Sequence, residues 1–147
     1  MNEKISPKHR KMYMRIAQSV ALSGTCDRAQ VGAVIVKNGC IIGLGYNGSA
    51  RGDKSCDNNG HIMDSGHCIR TIHAEENAII NAARNSIGTL GATMFCTHKP
   101  CYRCCQRVIN AGIEMVYFDI DYGQNTDNRD QLLKRTGLKL ISLRRES

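Results

Sequence analysis

Two short runs constrain this chain more than anything else in it: His73-Ala74-Glu75 and, further on, Pro100-Cys101-Tyr102-Arg103-Cys104. His73, Cys101 and Cys104 offer one nitrogen and two sulfurs, the donor count of a catalytic zinc site whose fourth position is left open. Cys101 and Cys104 are three residues apart, so on a helix both thiolates share one face and can meet one ion. A helix start stabilises negative sulfur, and a neutral His73 completes a ligand set that cancels the charge of a dication. Glu75 lies two residues past His73, roughly 200° around an ideal helix, which turns it away from a ligand role and toward proton carriage. The competing reading is a closed zinc site with Glu75 merely solvated at a helix start.

At 147 residues the expectation is one domain spanning 1–147 with a sizeable core. The run Met1-Asn2-Glu3-Lys4 is charged, and no segment approaches the roughly 18 apolar residues of a spanning helix, so a cytoplasmic protein without a membrane partner is expected. In that compartment eight cysteines point to metal binding before disulfides. A net charge of +7 suggests an anionic partner, a nucleotide phosphate or a nucleic acid; a solvated basic surface is the alternative, and charge alone decides little between them. The basic residues gather near both ends without interleaved aromatics, which weighs against a single-strand platform.

Along the chain, Ser6-Pro7 has the form of an N-cap and first helical proline, and Met12, Ile16 and Val20 recur at spacing four, predicting a helix over 7–23. Runs 31–36 and 41–46 flank Lys37-Asn38-Gly39-Cys40, a hairpin signal. Residues 47–70 read as a loop longer than loops without function or tethering usually are. Thr71 is positioned to cap the helix that carries His73 and Glu75, with Ala74, Ala78, Ile79 and Ala82 on its apolar face. A strand over 92–97 leads to a helix opened by Pro100, and a strand over 114–119, a helix over 127–135 and a strand over 138–143 follow. The sum is an α/β fold: a mixed five-stranded sheet with an N-terminal antiparallel hairpin and crossover helices, the two ligand-bearing helix starts converging in one crevice.

His-x-Glu combined with Pro-Cys-x-x-Cys is the signature of zinc deaminases. With Gly45-Tyr46-Asn47-Gly48-Ser49, the run Cys68 to Ile79 and Asp121-Tyr122, the chain resembles the cytidine and deoxycytidylate deaminase superfamily over its whole length, and within it the deoxycytidylate branch of bacteria and phages. That resemblance implies the cytidine deaminase-like three-layer sandwich and hydrolysis of dCMP to dUMP and ammonia, the step that feeds dTMP synthesis. It implies zinc on His73, Cys101 and Cys104, with Glu75 as proton shuttle. It also implies Asn47 on the sugar, Ala74 at the substrate, and Ser49, Arg51 and Tyr122 near the 5′-phosphate. Branch members are often hexamers activated by dCTP and inhibited by dTTP. Arg28, Gly43, Gly45 and Gly48 are candidates for a regulatory triphosphate contact, because glycine lets backbone amides approach phosphate; the alternative is that these glycines serve turns needing positive φ.

Cys26, Cys56, His61, His67 and Cys68 exceed what one active site requires. Some members of the branch carry a second, structural zinc here, and the expected ligands are Cys26, Cys56, His61 and His67, with Cys68 as substitute if one histidine points away. Buried free thiols and surface histidines are the alternative. Cys40, Cys96 and Cys105 read as small hydrophobes, and His98 as packed, solvated or shaping the pocket. Two other functions stay open: a tRNA adenosine or free cytidine deaminase, and a zinc-stabilised nucleic-acid-binding module without catalysis, against which the intact Glu75 argues.

Overall fold

The computed structural model of the protein describes residues 4–26, 29–123 and 127–146. Helix α1 (Pro7–Ala21) is capped by Ser6, whose side chain accepts the His9 amide at 3.3 Å. Strands β1 (Gly32–Lys37) and β2 (Cys40–Tyr46) form the expected hairpin, its turn made by Asn38 and Gly39 at φ 51° and 73°, the left-handed pair of a type I′ turn.

The segment after β2 is not a structureless loop. It holds a short helix, α2 (Cys56–Asn59), and a miniature hairpin of β3 (Met63–Asp64) and β4 (His67–Cys68). Ser65 and Gly66, at φ 50° and 80°, make the turn between these strands. The remaining elements are α3 (Ala74–Arg84), β5 (Thr93–His98), α4 (Tyr102–Asn110), β6 (Met115–Ile120), α5 (Asp127–Thr136) and β7 (Lys139–Ser142). The chain then passes into a 3-10 turn over Leu143–Glu146.

The five long strands form one mixed sheet in the order β2-β1-β5-β6-β7, antiparallel between β1 and its two neighbours and parallel from β5 to β7. Both faces are covered, so β1 and β5 read as nearly continuous apolar runs and not as alternating ones. The two-residue period decides which face each side chain serves. Ala33, Ile35, Met94 and Cys96 enter the core under α3 and α4; Val34, Val36 and Phe95 enter the one under α1. On the α1 side Phe95 lies between Tyr13 and Tyr117, with ring centroids 5.2 and 5.1 Å away.

Most expected element ends shift by a residue or two. The first helix stops at Ala21, two residues short of 23. Thr71 does not cap α3; His73 does, because Ile72 is held extended by paired backbone bonds to Gly48 of 2.8 and 3.2 Å. Pro100 likewise precedes the helix instead of opening it, and Cys101 takes the N-cap of α4.

Gly43 and Gly45 serve neither a phosphate nor a turn, which corrects both readings of them. A Cβ on Gly43 would stand 2.7 Å from the Ala78 carbonyl, and one on Gly45 2.6 Å from that of Ala74, so glycine is what lets α3 lie directly on β2. The outward carbonyls of Leu44 and Tyr46 accept from the side chains of Asn81 and Asn77 at 2.7 and 2.9 Å. Alternation along an antiparallel strand then turns the amides of Gly43 and Gly45 toward β1, and the Gly48 amide is bonded to Ile72. No amide of the three is left for a triphosphate.

Gly45→Ala is expected to push α3 off the hairpin at a cost of about 1–3 kcal/mol, the usual range for overpacking. Urea unfolding checks this; an unchanged midpoint would contradict the packing described.

Candidate active site

The ends of β5 and β6, the N-termini of α3 and α4 and the segment 47–72 enclose a cavity of about 390 Å³. His73 and Cys101 both sit at N-cap positions, with extended backbone, and Cys104 follows three residues into α4. Their donor atoms lie within 4.8 Å of one another. His73 Nδ1 is 3.3 Å from Cys104 Sγ and 3.7 Å from Cys101 Sγ. Hydrogen bonding from Cys104, and then from His73, brings the Cys101 thiol down to about 3 against the opposing effect of burial. The hydrogen bond to Cys101 raises the His73 imidazole to about 9, while that same thiol partner and burial push Cys104 upward. Proton-rich donors this close together suit a cation that displaces protons on binding. The donor set, one imidazole and two thiols, suits zinc.

Glu75 is in the first turn of α3, only 4% exposed, and lines the same cavity. Its carboxylate Oε1 accepts a hydrogen bond from the Cys96 thiol at 2.8 Å. Burial and the neighbouring carboxylate hold that thiol well above its ordinary pKa, so Cys96 keeps its proton and donates. The reading of Cys96 as a plain small hydrophobe is thereby corrected. Its position in β5, on the face covered by α3, could have suggested the contact, but only once that face is known.

Ala74, Asn47 and Tyr122 line the cavity, as do His98 and His67. Asn47 is buried and already committed in part: its Oδ1 accepts the Val31 amide at 2.8 Å and its Nδ2 donates to the Ala29 carbonyl at 2.7 Å. One amide hydrogen and one lone pair are left to face a ligand. Tyr122 stacks on His98, centroids 4.8 Å apart at 10°. His98 pairs through Nδ1 with Thr97 at 2.8 Å, and burial lowers its pKa, so it is a neutral wall of the pocket. Ser49 and Arg51 are not brought to the cavity; Arg51 is exposed. Arg28 lies outside the described residues.

Lys99, Asp121 and Arg129 also line the cavity. Arg129 escaped the sequence reading although it carried a signal: a cation in the first turn of a helix opposes the helix dipole and calls for a local reason.

Beside this cavity a second cluster gathers Cys26, Cys56, His61 and Cys68, with donor atoms again within 4.8 Å of one another. Cys26 Sγ is 3.7 Å from His61 Nδ1, and Cys56 Sγ is 3.6 Å from Cys68 Sγ. His67, expected as a ligand, lies outside the cluster. Neighbouring residues of a strand point to opposite sides, so in β4 only one of His67 and Cys68 can face inward, and Cys68 does. Burial pushes the Cys68 thiol up, but the Arg70 amide, His61 and Cys56 together bring it to about 6. Burial and the Cys68 hydrogen bond raise Cys56 to about 12.

Among known proteins, the family model described as the cytidine and deoxycytidylate deaminase zinc-binding region matches residues 7–120. ComE operon protein 2 of Bacillus subtilis is 44% identical over 75% of this chain, which spans only 58% of that relative. The deoxycytidylate deaminase of Enterobacteria phage T2 is 32% identical over 88% of this chain and 89% of its own. A crystal structure of the dCMP deaminase of cyanophage S-TIM5 with dCMP and dUMP superposes with a TM-score of 0.82 at 32% identity, over 95% of this chain and 99% of that one.

Asn47→Ala leaves the Val31 amide and the Ala29 carbonyl without partners, each such loss costing about 1–3 kcal/mol. A fall in stability of that order in urea unfolding is expected, and a neutral result would mean that Asn47 does not hold this segment.

Proposed function

The chain belongs to the cytidine and deoxycytidylate deaminase zinc-binding family, and from that premise we propose that it hydrolyses dCMP to dUMP and ammonia. The observation that carries the reaction type is the convergence of His73, Cys101 and Cys104 at a cavity that His73, Cys101 and buried Glu75 line. The choice of dCMP rests on the likeness to the phage enzymes, near full length on both sides.

In this reading His73, Cys101 and Cys104 hold zinc, the two thiols as thiolates and the imidazole neutral. When bound, zinc supplies the Lewis acidity that makes water nucleophilic near neutral pH. Glu75 would accept the proton that water gives up and pass it to the ring nitrogen of the base, then take a second proton from the hydroxyl added to the ring and deliver it to the departing amine. Cys96 fixes one carboxylate oxygen, Oε1, which holds the carboxylate in place for these transfers. Ala74 and Asn47 border the space a bound nucleoside occupies, and the His98–Tyr122 stack gives it a flat wall. A cavity of about 390 Å³ is within the range of small-molecule sites.

The second cluster holds a structural zinc on Cys26, Cys56, His61 and Cys68. Those four residues come from the end of the α1 connection, from α2, from the approach to β3 and from β4, so one ion ties together a segment that buries little else. On the family resemblance alone, we further propose a hexamer activated by dCTP and inhibited by dTTP.

Ammonia release from dCMP, cytidine and tRNA by the zinc-loaded chain tests the substrate: dCMP is expected to be preferred, and equal turnover of cytidine would remove the nucleotide reading. Glu75→Gln should keep its zinc and lose at least about 10²-fold in kcat, the lower end of what a positioned proton carrier contributes. Metal analysis separates the two sites. Cys68→Ser is expected to lose one zinc per chain while His67→Ala keeps both; a single zinc in the unaltered chain would end the structural-zinc assignment.

A further inference from the structure

Arg129 is a buried cation that the chemistry described so far does not use. Its side chain is 9% exposed, it lines the active-site cavity, and it stands in the first turn of α5, where the helix dipole repels positive charge. One guanidinium nitrogen, Nη1, donates to the Pro100 carbonyl at 3.0 Å. Among the described residues the carboxylate in ion-pair range is that of Asp130, 4.0 Å from Nε and half-exposed. Nε and Nη2 are buried and have no hydrogen-bond partner among the described residues. A buried charge with most of its donors unmatched is costly in a folded chain unless an anion completes it.

The cavity has a place for that anion. Lys99 is the other cation lining it, and Asp121 is the neighbouring anion. Asp121 is already engaged, by Lys99 at 3.4 Å and by the Gly123 amide at 3.0 Å, and it makes no hydrogen bond to Arg129. Ser49 and Arg51, the residues that the sequence suggested for a phosphate, do not reach this cavity. A planar guanidinium offers paired donors that match the oxygens of a phosphate, and the match is stronger than a lysine's point charge.

We propose that Arg129, aided by Lys99, is the specificity-determining residue that receives the 5′-phosphate of the nucleotide and separates it from the free nucleoside. This rests on the dCMP reading above. The side chain approaches from α5, on the same flank as Pro100 and Tyr122, so the phosphate is read by the far end of the fold and not by the segment after β2.

The test compares the zinc-loaded chain with Arg129→Gln and Arg129→Lys, using dCMP and 2′-deoxycytidine as substrates and dUMP and deoxyuridine as binding probes in calorimetry. The ratio of kcat/KM for dCMP to that for deoxycytidine is expected to fall by at least about 30-fold in Arg129→Gln, chiefly through KM. It should fall less in Arg129→Lys, which keeps the charge and loses the fork. The preference for dUMP over deoxyuridine should fall in step. Zinc content and Tm are followed in parallel. A purely structural Arg129 would lower both substrates together and leave the ratio intact, which overturns the proposal. Should Arg129→Gln not fold, the ratio in Arg129→Lys decides, and an undiminished one overturns it. If the unaltered chain prefers neither dCMP nor dUMP over the nucleosides, the dCMP reading and this assignment fall together. If that preference exists and survives substitution of Arg129, only the assignment falls.

Discussion

The close seating of α3 on β2 is the contact on which the rest of the site depends. Gly43 and Gly45 leave no Cβ between strand and helix, so the α3 backbone lies against the strand, and Asn77 and Asn81 tie the outer edge of β2. That seating has two consequences. It sets His73 at the end of an extended segment, where its imidazole reaches Cys101 and Cys104, and it points Glu75 at β5, where Cys96 holds one oxygen. A Cβ at either glycine would press on the α3 backbone, and both relations depend on where that backbone lies. The same contact closes the sheet edge, since carbonyls taken up by side chains cannot pair with another strand.

The donors of the candidate metal site sit where protein electrostatics already favours them. His73 and Cys101 occupy N-caps, the positions from which side chains face the unsatisfied amides of a helix start, and Cys104 is within the first turn of α4. At Cys101 the helix start and the hydrogen bonds from Cys104 and His73 favour thiolate, whereas its thiol partner and burial keep the proton on Cys104 until an ion displaces it. Arg107 and Glu76, paired at 2.8 Å, link the two ligand-bearing helices at the surface. At that exposure the pair adds little stability, and the core beneath it does the fixing.

The segment 47–72 shows how a polar stretch becomes a wall. It buries few apolar side chains, yet Asn47 pins its start to the backbone before β1, the Gly48–Ile72 bridge pins its end, and four metal-type donors gather between them. Cys26, His67 and Cys68 also border the cavity, so the order of this segment and the shape of the site are one matter. Opposite it, the loop after β6 and the start of α5 supply Asp121, Tyr122 and Arg129.

Local pattern alone was enough for the five long strands, the four longer helices, the hairpin and the residue types that gather at the cavity, because these depend on residue type and short spacing. Ser6-Pro7, Asn38-Gly39, His73-x-Glu75 and Pro100-Cys101-x-x-Cys104 each act within a few residues of themselves. The Ser65-Gly66 turn was equally local and was overlooked, because a two-residue strand has too little pattern to announce itself. What tertiary structure decided are relations between distant segments. Cys96 and Glu75 meet because strand parity and helix seating agree. Cys68 displaces His67 because a strand shows one residue at a time to one side. Gly43 and Gly45 admit a helix and not a phosphate, and Arg129 enters the cavity from an element that only the sheet order brings near Pro100. None of these can be read from spacing, since each is fixed by which face of one element meets which face of another.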